Sequence, residues 1–258
     1  MTRPAFPILA ALLALAFMTG CATRPETGAP AVSATNGDGA PSLFSANPPG
    51  GLPKGWEPLV LLRTKKPTEY KLVADQDRTV LHAKAVAASS ALMHQISIDP
   101  ATRPWLHWEW KVGSLVQGAD NFQSALEDSP VRIVLGFDGD KDGLPFADQI
   151  MFETAKVLTG HQLPYATLMY IWENKAPAGT VIANRRSKRF QKIVAASGPE
   201  GIGQWRRFAR NIVEDYEAAF GEKPGRLIGI GVLTDTDNTG ETVEAWYGDI
   251  RLLTEREP

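Results

Sequence analysis

A mainly β fold with two short helices is what this sequence predicts, and three observations carry that expectation. Apolar residues alternate through most of the chain after residue 54 with the two-residue period of strands. Nineteen Pro and 23 Gly in 258 residues favour frequent turns. One stretch, residues 226–253 (RLIGIGVLTDTDNTGETVEAWYGDIRLL), sets two strand-like runs around a hydrophilic turn at 234–241. The first run has apolar residues or glycine on both faces, as a strand buried on both sides reads. The second, 242–253, carries Val243, Ala245 and Tyr247 on one face and Glu244, Trp246 and Gly248 on the other. The two are expected to form a hairpin around which the rest is organised.

Composition bounds the function classes. The chain is 43% hydrophobic and 22% charged with a net charge of -2, which fits one large or two small domains and gives no argument for a nucleic-acid partner. Its single cysteine, Cys21, excludes an intrachain disulfide. Its four histidines stand at no HxH or HxxxH spacing. At the N-terminus, Arg3 precedes a short apolar run, 7–17, too short to span a bilayer, ending in Met18-Thr19-Gly20-Cys21. This resembles a bacterial lipoprotein signal, with residues 1–20 removed and Cys21 lipidated; the alternative is a plain secretory signal with an incidental cysteine. By resemblance to sorting in Gram-negative bacteria, Ala22 in place of Asp implies anchoring in the outer membrane, facing the periplasm. Residues 21–53, rich in Ala, Pro, Gly and Ser, read as a flexible tether with a root-mean-square reach on the order of 30 Å. Leu43 and Phe44 are its one apolar pair.

Residues 54–258 are expected to form a single domain. In order, strands are expected at 59–62, at 69–75 and 79–86 around a turn at Gln76-Asp77-Arg78, and at 91–98, where Leu92, His94, Ile96 and Ile98 share a face. The alanines of 83–91 leave a short helical turn open as an alternative. Residues 105–112 (WLHWEWKV) alternate strictly, with Leu106, Trp108, Trp110 and Val112 opposite Trp105, His107, Glu109 and Lys111. This pattern reads either as a core strand or as a sugar-stacking platform with Glu109 beside it. Strand 131–137 enters Asp138-Gly139-Asp140-Lys141-Asp142-Gly143, the front half of a calcium loop, where alternate carboxylates converge on one cation. The twelfth position is Gln149 and a strand enters the loop, so a helix–loop–helix hand is excluded. An isolated calcium loop and a solvated turn remain.

A helix follows at 145–158 with Ile150, Met151, Val157 and Leu158 as its buried stripe and Gly160 as its stop. Strands are expected at 166–173, 178–183, 190–197 and 205–209. Between the second and third of these, 184–189 (NRRSKR) is a basic patch suited to anionic lipid, lipopolysaccharide or acidic glycan, or simply a solvated hairpin tip. Asn211 caps a second helix, with Glu214 at the capping-box spacing and Ile212, Val213, Tyr216 and Phe220 facing inward.

Three passages together resemble a bacterial family catalogued as domain of unknown function 3047. They are 164–172 (PYATLMYIW) with 178–180 (AGT), 203–205 (GQW) followed by 210–216 (RNIVEDY), and 234–240 (TDTDNTG) followed by 245–250 (AWYGDI). The resemblance covers most of 55–253. It implies an exported protein with a β-sandwich similar to jelly-roll, galactose-binding-like modules, and it carries over no activity and no catalytic residues.

No GxSxG elbow, Cys/His pair, phosphate loop or HExxH motif is present. The reading that follows is a non-catalytic module binding a polysaccharide or another envelope ligand, with Glu109, Trp246 and Asp249 as candidate ligand-binding residues. A structural calcium is the cofactor its acidic turns would hold. The candidate ligands are Asp235, Asp237 and Asn238, with Asp249 near, and Asp138, Asp140 and Asp142 in the other loop. A second reading is a carbohydrate-active hydrolase, needing two carboxylates about 5–9.5 Å apart from the pool Glu109, Asp235, Asp237, Glu244 and Asp249. A third is an envelope assembly protein holding a protein partner.

Overall fold

The structure, a computed structural model, describes residues 39–256 apart from 61, 63 and 186. Cys21, the expected signal and the first part of the tether lie outside the described residues. In chain order the elements are β1 (Trp56–Leu59), β2 (Glu69–Asp75), β3 (Arg78–Val86), β4 (Ser89–Ile98), β5 (Trp105–Val112), β6 (Ser129–Phe137), α1 (Phe146–Thr159), β7 (Ala166–Glu173), β8 (Val181–Ala183), β9 (Phe190–Ser197), β10 (Arg206–Asn211), α2 (Ile212–Phe220), β11 (Leu227–Asp235), β12 (Thr242–Tyr247) and β13 (Arg251–Leu253). The strands form two sheets facing each other across one main core, the β-sandwich expected. The larger runs β1-β4-β11-β6-β7-β9-β8; the smaller runs β10-β5-β12-β3-β2, with β13 also on β5.

The two runs of 226–253 do not form a hairpin. β11 lies between β4 and β6 in the larger sheet, and β12 between β3 and β5 in the smaller. The turn between them carries the chain across the sandwich. Leu227, Ile230 and Val232 of β11 then meet Ala245 and Tyr247 of β12 in one buried cluster, which a flat hairpin would not allow. Tyr247 ties the layers further, donating to the Leu233 carbonyl at 2.9 Å and lying 2.8 Å from Thr234 Oγ1. The outer face of β11 is only half covered, chiefly by Met93, which lies so close over Gly231 that a Cβ there would collide with it.

Other expectations meet the structure unevenly. β2 and β3 form the expected hairpin, tightened to Gln76-Asp77, with Gln76 at φ 57. The first strand sits earlier than expected, at Trp56–Leu59, because Trp56 is its buried anchor. The run 242–253 breaks at Gly248–Ile250 before β13. The alanines of 83–91 are strand on both sides of a turn at Ala87, φ 47. Asn211 caps α2 by accepting from the amides of Val213 and Glu214, as its position implied.

Residues 39–53, read as tether, are built into the fold. Phe44 is 1% exposed and packs 4.8 Å from the Trp56 ring. Trp56 Nε1 donates to the Ser42 carbonyl, and Gly50 and Gly51 exchange backbone bonds with Leu72 on edge strand β2. The segment therefore links β1 at the edge of one sheet to β2 at the edge of the other. Phe44, one of the apolar pair the sequence showed in this segment, is the anchor, docked on Trp56 of β1.

Helix α1 departs most from its expected packing. Of its apolar residues only Phe152 is buried. Ile150, Val157 and Leu158, expected inward, are 49%, 81% and 68% exposed, and Phe146 is 76% exposed. The helix meets the body through its opposite side: Lys141 stands over the Phe152 ring, and Asp148 accepts from Ser187 Oγ at 2.8 Å.

Candidate functional site

Strand alternation decides the aromatic question in β5. Leu106, Trp108, Trp110 and Val112 are buried, and Trp108 stacks on Tyr170 and Phe208. They are core, so the sugar-platform reading fails for Trp108 and Trp110. The same alternation sends Glu109 and Lys111 to the outer face of the smaller sheet. There Trp246 of β12 stands in register with Lys111 on one side and His82 of β3 on the other.

This outer face is a continuous array of rings and charges. Lys111 Nζ sits between two indoles, 4.7 Å from the Trp246 centroid and 5.2 Å from that of Trp205, which folds over from the turn before β10. The Arg78 guanidinium lies 4.5 Å over Trp205 and pairs with Glu109, which Arg207 also approaches at 3.4 Å. Such cation–ring contacts are worth about 0.5–1 kcal/mol each when exposed. Asp75 accepts from Trp205 Nε1 at 2.7 Å and from Lys111 at 3.2 Å. Against the cost of its burial, these donors hold its carboxyl below the usual range. The hydrogen bond from Lys84, and behind it His82, does the same for Glu244. Both carboxylates are therefore fixed as anions beside the rings. Two clefts, of 370 Å³ beside Phe122 and Lys175 and of 460 Å³ under residues 40–47, lie away from this face.

Of the three candidate ligand-binding residues, Glu109 and Trp246 share the face and Asp249 does not. Asp249 sits in the break between β12 and β13, accepting from the amide and hydroxyl of Ser45 at 2.9 and 2.6 Å. It anchors the N-terminal segment. Gly248 in the same break lies against the Glu109 side chain, where a Cβ would collide. Only glycine lets Glu109 keep its place.

The acidic turn builds a different structure at one end of the sandwich. Asp235 and Asp237 converge with Asp128, each offering an oxygen within 4.8 Å of the others. Asn238, a candidate ligand, points its side-chain amide at the Ser124 carbonyl and so acts as a donor. The carboxylates already have partners. Arg132, 3% exposed, grips Asp235 through Nε at 3.1 Å and Nη2 at 2.9 Å, and Ser129 adds its amide at 3.0 Å. Lys65 meets Asp237 at 2.5 Å. The amides of Asn238 and Thr239 bond Asp128 at 3.2 and 2.7 Å. Burial, opposed by Arg132 and reinforced by Asp128, raises Asp235 to about 6. Glu127 extends the network to buried Lys192 at 2.7 Å, whose ammonium is lowered first by burial and then by Arg132. The geometry is that of an internal ion-pair network closing one end of the core.

In the DGDKDG loop, Asp138, Asp140 and Asp142 bring no three carboxylate oxygens together. Asp138 accepts from Gly139, and Asp140 from Asp142 and Gly143, so these side chains cap their own turn. Sequence reasoning missed Asp128, Arg132, Arg78, Lys111 and Trp205. The one available signal was Arg132, a charge inside the apolar run VRIVLGF, which a buried strand accepts only with a partner.

The fold and these surfaces define a two-sheet β-sandwich with a polar, aromatic outer face. The chain belongs to the family described as protein of unknown function (DUF3047), whose model matches residues 54–251. No curated protein matches it.

Proposed function

We propose that this is an exported, lipid-anchored envelope protein whose sandwich is a non-catalytic binding module for polysaccharide, held at the outer membrane through Cys21. The observation that carries the binding reading is the outer face of the smaller sheet. Trp205 and Trp246 flank Lys111, with the fixed charges of Asp75, Arg78 and Glu109 around them. Rings offer apolar faces to sugar C–H groups, while the surrounding donors and acceptors match hydroxyls. A sheet face suits an extended polymer better than the enclosed pocket a small molecule prefers.

Binding is favoured over hydrolysis by the state of the carboxylates. A glycosidase needs an acid kept protonated beside an ionised partner. On this face Asp75 and Glu244 are held ionised, and Glu109 is paired with two arginines. Among the described residues the one carboxyl pushed upward, Asp235, is buried against Arg132. The calcium reading loses ground because two of the three converging carboxylates, Asp235 and Asp237, are already paired with Arg132 and Lys65.

The test is binding of the full chain to fragments of peptidoglycan, lipopolysaccharide glycan and neutral polysaccharide by calorimetry. Trp246→Ala and Trp205→Ala should each weaken one of these by about tenfold or more, roughly 1.4 kcal/mol. Unchanged affinity in both variants would remove the face from consideration. Acylation of Cys21 is tested separately, by the mass of the N-terminal peptide and its loss in Cys21→Ala.

A further inference from the structure

Helix α1 carries an apolar stripe with no protein beneath it. At 100° per residue, Phe146, Val157, Ile150, Ala147 and Leu158 fall within an arc of roughly 120°. Thr154 is the one polar residue in that arc, and all six side chains are exposed. Four of the eight exposed large hydrophobic side chains among the described residues lie on this one helix. Patches of this kind on a folded domain mark a contact surface.

Two further observations say what covers it. The first is charge. Ser187 Oγ bonds Asp148, which places the 184–189 loop alongside α1, and Arg185 and Lys188 in that loop and Lys156 on the helix are exposed. The Arg185 and Lys188 part of the basic patch singled out in the sequence therefore lies beside the first turn of the helix, on the Asp148 side behind the stripe. Glu153 sits at the arc's edge, and Asp140 and Asp142 precede the helix, so the positive charge near the stripe is Lys156 in the last turn, with Arg185 and Lys188 behind the first. The second is where the described chain begins. Gly39 lies against Ile98, Ile98 pairs with Leu227, and Leu227 with Phe137, the residue that leads into the loop before α1. The N-terminal segment thus enters the sandwich at the end from which α1 projects. Only residues 22–38 separate Cys21 from Gly39, at most about 60 Å of extended chain.

We infer that α1 is a second membrane contact: its stripe lies in the interface of a bilayer with anionic headgroups, beside the lipid anchor, and fixes the orientation of the sandwich. An amphipathic helix of this design buries its apolar face about 5–10 Å into the headgroup and acyl boundary. A second apolar or basic contact adds to the attachment that a lipid anchor gives. The inference rests on the reading of Cys21 as the anchor.

Val157→Cys in the full, lipidated chain provides the test. Acylation occupies Cys21, so the introduced thiol is the one free for an environment-sensitive fluorophore. Lys71→Cys, on exposed edge strand β2, is the control. In vesicles of phosphatidylethanolamine and phosphatidylglycerol, the probe at 157 should shift to the blue and be quenched by acyl-chain nitroxide lipids severalfold more than the probe at 71. Replacing phosphatidylglycerol by phosphatidylcholine should reduce the effect. Equal, weak quenching at both positions in protein whose Cys21 is shown by mass to be acylated would overturn the inference while leaving the anchor standing. If Cys21 proves unacylated, the anchor reading fails on its own. The probe is then read in the Cys21→Ala chain with millimolar lipid, where quenching at 157 supports the contact and its absence overturns it.

Discussion

Replacing Arg132 by Met tests the internal network most directly. Arg132 lies in β6, 3% exposed, with both donors of its fork on Asp235 and one also reaching the Glu127 carbonyl. Methionine keeps much of the volume and removes the charge. Breaking a buried pair by removing one partner costs about 3–5 kcal/mol, because the remaining ion is left unpaired. Here that ion is Asp235, with Asp128 beside it. The pH dependence follows from the direction of its shift. In the folded protein Asp235 titrates near 6 instead of the ordinary 3.8. A carboxyl raised in this way contributes stability that is fully present below the ordinary value and is lost as pH rises through about 6. Arg132 limits the loss by lowering Asp235. Without it the titration moves higher and the loss deepens. The deficit of Arg132→Met against the parent should therefore be small near pH 4 and reach several kcal/mol near pH 8. Urea unfolding followed by the fluorescence of buried Trp108, Trp110 and Trp172 measures it. Replacing both partners, Arg132→Met with Asp235→Leu, should recover most of the loss, since an apolar pair of similar size is often neutral. A deficit that is equal at the two pH values, or below about 1 kcal/mol at the higher one, would refute the argument.

Two more predictions concern the segment expected to be tether. Phe44→Ala should cost about 3–5 kcal/mol in the same unfolding assay, and a cost within the roughly ±0.5 kcal/mol of ordinary surface changes would return residues 39–53 to the tether. His94, lowered by burial, stands edge-on to Trp56 and accepts weakly from the Ser42 amide through Nε2. A histidine kept neutral by the fold contributes stability above its ordinary value near 6.5 that is lost as pH falls below it. Proteolysis between residues 40 and 53 should accelerate under those conditions and become insensitive to pH in His94→Phe; pH-independent cleavage of the parent would count against the contact.

The sequence made strands legible wherever one face meets core and the other water. β2 and β5 stand at their expected bounds for that reason, and β7 and β9, buried over most of both faces, do so as apolar runs between turns. Periodicity names a face without naming its partner, so it could not show that β11 and β12 belong to opposite sheets. In α1 the period was read correctly and the direction was not, because an apolar arc points equally well to core or to another apolar phase. At the candidate site, Glu109 and Trp246 were visible as outward residues of recognisable strands. Trp205 reaches the same face from the turn before β10, and Asp75 and Arg78 from the distant β2–β3 hairpin, and no local spacing records that.

The positions of the two candidate surfaces make them compatible in one molecule. α1 meets the body through Lys141, which stands over Phe152 and donates to the Leu163 carbonyl, and through Asp148 with Ser187 in the β8–β9 turn. Both contacts belong to the larger sheet's side of the sandwich. The Trp205–Trp246 face belongs to β3, β5 and β12 of the smaller sheet. A bilayer against α1 would therefore leave the aromatic face uncovered, which a lipid anchor alone would not ensure. The two contacts also separate by salt. Charged flanks on a membrane surface weaken over a Debye length of about 8 Å at physiological ionic strength, whereas ring stacking does not. Raising salt should thus loosen α1 from the bilayer before it loosens glycan from the sheet, and the opposite order would mean that the charges of Arg78, Lys111 and Arg207, not the indoles, hold the ligand.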